Sequence, residues 1–172
     1  MMMRNRTRGF TIVELLIVIV VIGILASITI VAFNGIQGQA RDNVRKQDLG
    51  QLSKALKLYA VQNGDYAESA CGSGGTSSYG WLPSDYDGAG PLKSINTCLL
   101  EGGYLTSVIR DPAGLSSCSG STCFAYMKAS CPAGTYLYAH LETIPQTSTD
   151  LDGTCQPGWD TTYGMNFVVR VN

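Results

Sequence analysis

Six cysteines, one histidine, two closely spaced aspartates and a lone carboxylate inside an apolar run are the residues whose types admit chemistry. The cysteines, at 71, 98, 118, 123, 131 and 155, all lie beyond the apolar run. An even count confined to the rest of the chain reads as disulfides formed in an oxidising space. Six cysteines permit 15 pairings; local pairing, Cys71–Cys98, Cys118–Cys123 and Cys131–Cys155, is the expectation. Their spacing lacks the accompanying histidines of a zinc site and contains no C-x-x-C redox pair. His140 is the only histidine. A general base needs a nucleophile and an orienting group, and no motif supplies them, so His140 is expected on a strand, facing outward with Tyr136 and Tyr138. Asp150 and Asp152, in D-L-D-G-T, are calcium candidates. That stretch lacks the third acidic position and the closing glutamate of an EF-hand loop, and an acidic turn is the preferred reading. No catalytic residue, resident metal or other cofactor is therefore expected, and no enzyme activity.

The lone carboxylate is Glu14. It interrupts an apolar run of 24 residues, Phe10 to Phe33. As a helix the run would span roughly 36 Å, enough to cross a hydrocarbon core of about 30 Å. Apolar residues continue past Ala26-Ser27, so a cleaved secretory signal is not expected there. Arg4, Arg6 and Arg8 precede the run with no acidic residue among them, which keeps the leader cytoplasmic and exports the rest. A carboxylate in such a helix is costly. Nothing else in the run is ionisable, so its partner is expected to come from another molecule.

Those residues, R-G-F-T-I-V-E-L-L-I-V-I-V-V-I-G-I-L-A, resemble the class III signal of type IV pilins and type II secretion pseudopilins. The resemblance covers about residues 8–30 closely and thins beyond residue 66. It implies that a prepilin peptidase cuts after Gly9, that Phe10 becomes the methylated N-terminal residue, and that Glu14 is the assembly carboxylate. It implies a precursor held in the cytoplasmic membrane by a single pass, with its N-terminus inside and its head outside. An ATPase-driven platform would then draw it into a homo-oligomeric filament, with the amine of Phe10 facing Glu14 of a neighbour. Gly23 and Ser27 would permit close helix approach. Many members carry a proline where this chain has Val31, so any loosening of the helix would use Gly23, Ile28–Val31 and Gly35.

The elements that must position these residues follow from periodicity. After a weak-helix stretch at 34–38, a helix is predicted over Gln39–Asn63 and ends at Asn63-Gly64. Leu49, Leu52, Leu56 and Tyr59, widened by Ala55, form one apolar stripe. Arg45 and Asp48 project onto the same face, which predicts burial beginning only near Leu49. Residues 67–123 are rich in glycine and serine and predict a long loop with a short helix near Ile95–Gly102. Strands are predicted at Cys123–Lys128, Thr135–Glu142 and Met165–Val171, the last with Met165, Phe167, Val169 and Val171 on one face.

The predicted fold is α+β, a long N-terminal helix whose first half is transmembrane, packed on a small antiparallel sheet. Its parts would be a cleaved leader (1–9), a membrane and filament-core helix (10–33), a continuing amphipathic helix (34–62) and a disulfide-bonded head (63–172). Formal charge is −1. Without the three leader arginines the chain holds 9 basic and 13 acidic residues. Tyr79, Trp81, Tyr86, Tyr104, Trp159 and Tyr163 could stack bases, but basic residues are too few for a nucleic-acid track, and core anchoring is the preferred role. A pilus subunit is the leading expectation, ahead of a pseudopilin piston or an anchored adhesin that never polymerises.

Overall fold

The computed structural model describes residues 9–67, 71, 79–81, 93–113, 126–145, 155 and 158–172. The chain divides into two compact units, Met1–Gln37 and Gly38–Asn172. Helix α1 runs Ile12–Asn63. It continues through the stretch expected to be weakly helical and through Val31, with no break at Gly23 or Gly35. Gly64 ends it at φ +84°, with its N–H bonded to the carbonyl of Ala60. The left-handed conformation there favours glycine over any residue with a Cβ.

In the second unit the sheet order is β1-β2-β3-β4, every pair antiparallel, with β1 at Tyr79–Trp81, β2 at Met127–Cys131, β3 at Gly134–Ala139 and β4 at Phe167–Arg170. Its described residues also form two short helices, α2 (Ile95–Glu101) and α3 (Trp159–Tyr163). Helix α2 is capped by Ser94, whose hydroxyl accepts from the N–H of Thr97. Its place is the one periodicity predicts. The α+β architecture, a long helix and a small antiparallel sheet, is likewise as expected.

Four local readings are corrected. The first strand lies at Met127–Cys131 rather than Cys123–Lys128, because Pro132 and Ala133 form a two-residue turn pairing Cys131 with Gly134. The second strand stops at Ala139 instead of reaching Glu142. Glu142 and Thr143 give their backbone N–H groups to the Asp42 carboxylate on α1, and so leave the ladder. The loop expected over 67–123 contains β1, which pairs with β2. Helix α3 falls where periodicity predicts no element, held between left-handed Gly158 (φ +89°) and Gly164 (φ +72°).

The sheet is covered on both faces. Toward α1, Leu49, Leu52, Ala55, Leu56 and Tyr59 pack with Leu137, Ala139 and Val171 of the β3 and β4 segments, and with Ile95 and Leu99 of α2. The leucine stripe is completely buried, and each such side chain contributes about 1.5–3 kcal/mol of apolar burial. On the opposite face, Met127, Ala129, Tyr136, Tyr138 and Met165 form a second cluster with Trp159 and Tyr163 of α3. Tyr136 and Tyr138 are therefore buried, not outward-facing. Met165 joins their side rather than that of Phe167 and Val169, because it precedes the strand and is not bound by its alternation.

Burial along α1 begins well before Leu49. Gly38, Asp42 and Arg45 are already buried. Charges tolerate this position because they neutralise one another there.

Candidate functional site

The N-terminal site is built on the first turn of α1. Thr11 stands immediately before the helix, and its hydroxyl accepts from the N–H of Glu14 at 3.3 Å. In return the Glu14 carboxylate accepts from the N–H and the hydroxyl of Thr11, each at 2.8 Å. This reciprocal arrangement is a capping box, which satisfies backbone donors the helix cannot bond itself. The threonine and glutamate three residues apart, before an apolar run, were the sequence signal for it. The expectation that Glu14 must find its partner in another molecule is thereby narrowed: its hydrogen bonds are met by Thr11, while no cation of the described chain lies against it. A recess lined by Phe10, Glu14, Leu15 and Val18 lies along the same turn.

From Ile12 to Ile30 the side chains of the apolar helix stand exposed, and the helix is long and apolar enough to cross a membrane. The Ser27 hydroxyl donates to the carbonyl of Ile24 at 2.7 Å and that of Thr29 to Leu25, so both polar side chains are satisfied within the helix. A Cβ placed on Gly23 would meet nothing within 4 Å. Gly9 and Phe10, the expected processing junction, lie exposed just ahead of the helix.

The second unit carries a charged cluster that sequence reasoning missed. The Arg45 guanidinium forms two parallel bonds to Asp111, at 2.7 and 2.9 Å, and further bonds at 2.8 Å to Asp42 and Glu142. Arg41 also binds Glu142 at 2.7 Å. Asp42 accepts from the backbone of Glu142 and Thr143 and from the Thr143 hydroxyl at 2.6 Å. The cluster clamps the beginning of the head's helix to the segment that follows β3. Beside it, the Tyr126 hydroxyl donates to Asp48 at 2.6 Å.

These contacts shift the titrating groups in different directions. Burial pushes the Asp42 carboxyl up, but bonds from Thr143, the Glu142 backbone and Arg45 outweigh it and hold the group low. The Arg41 bond, with those of Arg45, holds Glu142 low. Burial, with Asp111 nearby, pushes Asp48 up against the lowering bond from Tyr126. Burial and the neighbouring Arg45 push His140 down, partly opposed by Glu142, Asp42 and Asp111. The Asp42–Arg45 spacing of three on a helix was a legible ion-pair signal. Asp111 and Glu142 come from 66 and 97 residues away and had none.

Of the cysteines, Cys71 is bonded to Cys98 and Cys131 to Cys155. Cys118 and Cys123 lie outside the described residues, as do the calcium candidates Asp150 and Asp152. Among the described residues no group of three or more His, Cys, Asp or Glu is arranged to hold a metal. The acids around Arg45 are engaged by Arg41, Arg45, Tyr126 and backbone donors. Tyr104 stacks edge-on against Tyr59 at 5.5 Å, and Trp159 against Tyr138 at 5.0 Å, so both anchor the core.

An apolar membrane-length helix, opened by a capped carboxylate and followed by a disulfide-bonded α+β head, is a pilin-like architecture. Residues 4–30 match the family model described as the prokaryotic N-terminal methylation motif. The chain is 32% identical to type II secretion system core protein G of Pseudomonas aeruginosa over 71 residues, 41% of this chain and 50% of that one. It is 38% identical to the type IV major pilin protein PilA of Myxococcus xanthus over 65 residues, 38% of this chain and 30% of that one. With fimbrial protein EcpC of Eikenella corrodens it shares 34% identity over 113 residues, 66% of this chain and 60% of that one. The chain thus spans between about a third and three fifths of the length of these relatives. No solved structure matches. Residues 4–30 thus carry the N-terminal methylation motif, and the chain is similar to these pilins and this pseudopilin over about two fifths to two thirds of its own length.

Proposed function

We propose that this chain is the structural subunit of a type IV pilus-like surface filament, with no catalytic role. The observation that favours a pilus is the identity to fimbrial protein EcpC, 34% over 113 residues, against 29% over 119 residues for core protein G of Aeromonas hydrophila, a likeness that reaches equally far into the head. In this reading a prepilin peptidase cuts between Gly9 and Phe10 and methylates the new terminus. The precursor waits in the cytoplasmic membrane with Glu14 hydrogen-bonded by Thr11. An assembly platform with its ATPase then extracts it. The freed amine of Phe10 on one subunit sets the register by pairing with Glu14 of the next, since an ion pair in a low dielectric is sensitive to position.

Electron microscopy with antibody against this chain, in wild type and deletion strains, tests the choice. Long labelled fibres lost in the deletion support it. A second reading, a periplasmic pseudopilin piston, is favoured by the likeness to core protein G; absent fibres with lost protein secretion would select it. A chain whose N-terminus, by mass spectrometry, is not methylated Phe10 would overturn both.

A further inference from the structure

We propose that the head matures by ordered oxidation alone: a dithiol–disulfide oxidase joins its cysteines in the order in which they leave the membrane, and no disulfide isomerase takes part. This rests on the reading above, in which the helix anchors the chain and the head is exported behind it. The two described disulfides are consecutive. Cys71–Cys98 joins the first two cysteines of the chain and Cys131–Cys155 the last two, with no other cysteine inside either loop. A chain that emerges from its N-terminal side therefore offers Cys98 to Cys71 before any later thiol. Cys118 and Cys123 emerge next, neighbours in order, and are consumed before Cys131 appears. For both described bonds the first partner available is the native one.

The core supports the same order. Helix α2 carries Cys98 and packs through Ile95 and Leu99 on Leu52, Leu56 and Tyr59 of α1. Both helices precede β2, β3 and β4 in the chain, so the first bond closes on structure that is already outside. Cys131 and Cys155 belong instead to the cluster on the other face of the sheet, with Met127, Tyr138 and Met165. In the folded head the sheet separates the two pairs, and exchange between them requires a thiolate of one to attack a sulfur of the other. Cys71 and Cys155 are 2% and 9% exposed, which closes that route to outside thiols as well. A mispaired head would have to be corrected before it folds, and consecutive pairing leaves nothing to correct.

Each step is a two-electron transfer. The Cys71 thiolate attacks the oxidase disulfide and forms a mixed disulfide, releasing one oxidase thiolate. The Cys98 thiolate then attacks Cys71 Sγ, and the second oxidase thiolate leaves. The two protons given up by the head thiols balance the two that the oxidase thiolates take up. The head loses two electrons and the oxidase gains them. Cys131 and Cys155 follow in the same way.

The test translocates the full chain into inverted cytoplasmic-membrane vesicles loaded with a purified C-x-x-C thiol oxidase, with and without a purified disulfide isomerase. Free thiols are alkylated and the bonds are mapped by mass spectrometry of non-reduced peptides. The oxidase alone is expected to give Cys71–Cys98 and Cys131–Cys155 in full, the isomerase to change nothing, and vesicles without oxidase to give neither bond. Ile144→Cys places a thiol between Cys131 and Cys155 at an exposed site. With oxidase alone the new thiol should capture Cys131, and Cys131–Cys155 should return only when isomerase is added. Ile144→Ser adds no thiol and should keep the wild-type pairs. Mispaired wild type that the isomerase corrects overturns the proposal, as do native pairs formed without oxidase. Native pairs in Ile144→Cys with oxidase alone overturn it too, since order would then not set the pairing. A head left open to protease outside the vesicles overturns the export reading and the proposal together; a protected but mispaired head overturns the proposal alone.

Discussion

At Glu14 two demands meet on one carboxylate. It closes a capping box with Thr11, and in a filament it would face the amine of a neighbouring Phe10. The cap explains how the residue is tolerated at the start of an apolar helix before any neighbour is present. Glu14→Ala is expected to leave insertion and cleavage intact and to abolish normal entry into filaments, read by membrane fractionation and fibre yield. Efficient assembly of that variant would refute the register role. Arg45 makes the opposite kind of site, in which the charge is locked in by its own chain. Arg45→Met leaves Asp42, Asp111 and Glu142 without their common cation, and breaking a buried pair typically costs about 3–5 kcal/mol. The midpoint of thermal unfolding of the full chain in detergent should fall accordingly. Asp42 and Arg45 were readable as a helical pair; their burial was not, because it depends on Asp111 and Glu142 arriving from distant segments.

Among the elements, the second half of α1 was the most legible, because a stripe at three- and four-residue spacing has one reading over so long a stretch. Leu52→Ala removes a fully buried member of that stripe and is expected to cost about 2–5 kcal/mol, measured by denaturant unfolding. The strands were placed less accurately. The hairpin turn at Pro132-Ala133 moves the first of them, and the Asp42 carboxylate draws the end of the second away from its ladder. Helix α3 has five residues, too few for any periodicity to show. The disulfide between Cys71 and Cys98, 27 residues apart, ties the segment after α1 to α2. Replacing both by alanine should destabilise by about 2–4 kcal/mol, seen as a lower unfolding midpoint under oxidising conditions and no difference from wild type under full reduction.

For the whole molecule, the titrating groups predict a stability that falls in acid. Asp42 and Glu142 are held below the ordinary carboxylate range, so the stability they contribute is complete above about pH 4.5 and disappears as pH falls through their lowered values. His140 is also lowered in the fold, so its contribution is complete above about pH 6.5 and begins to be lost below that. Asp48 is raised and acts with the opposite sign: its contribution is complete at low pH and is lost as pH rises through its raised value. Thermal midpoints of the full chain in detergent should therefore decline in two stages, one below about pH 6.5 and one below about pH 4. His140→Gln should remove the first stage alone. A profile flat from pH 7 to 5 in the wild type would contradict this assignment.

The amino-acid sequence by itself determined the membrane-length helix, the methylation motif over residues 4–30, the leucine stripe and the α+β class. Each of these is a local property: a run, a spacing or a period that is complete within a few turns of chain. Only the tertiary structure decided that Arg45 is buried in a cluster of acids and that Tyr136 and Tyr138 lie under α3. Those facts depend on segments far apart in the chain meeting in space, and no local pattern records where a carboxylate about 100 residues away will come to rest.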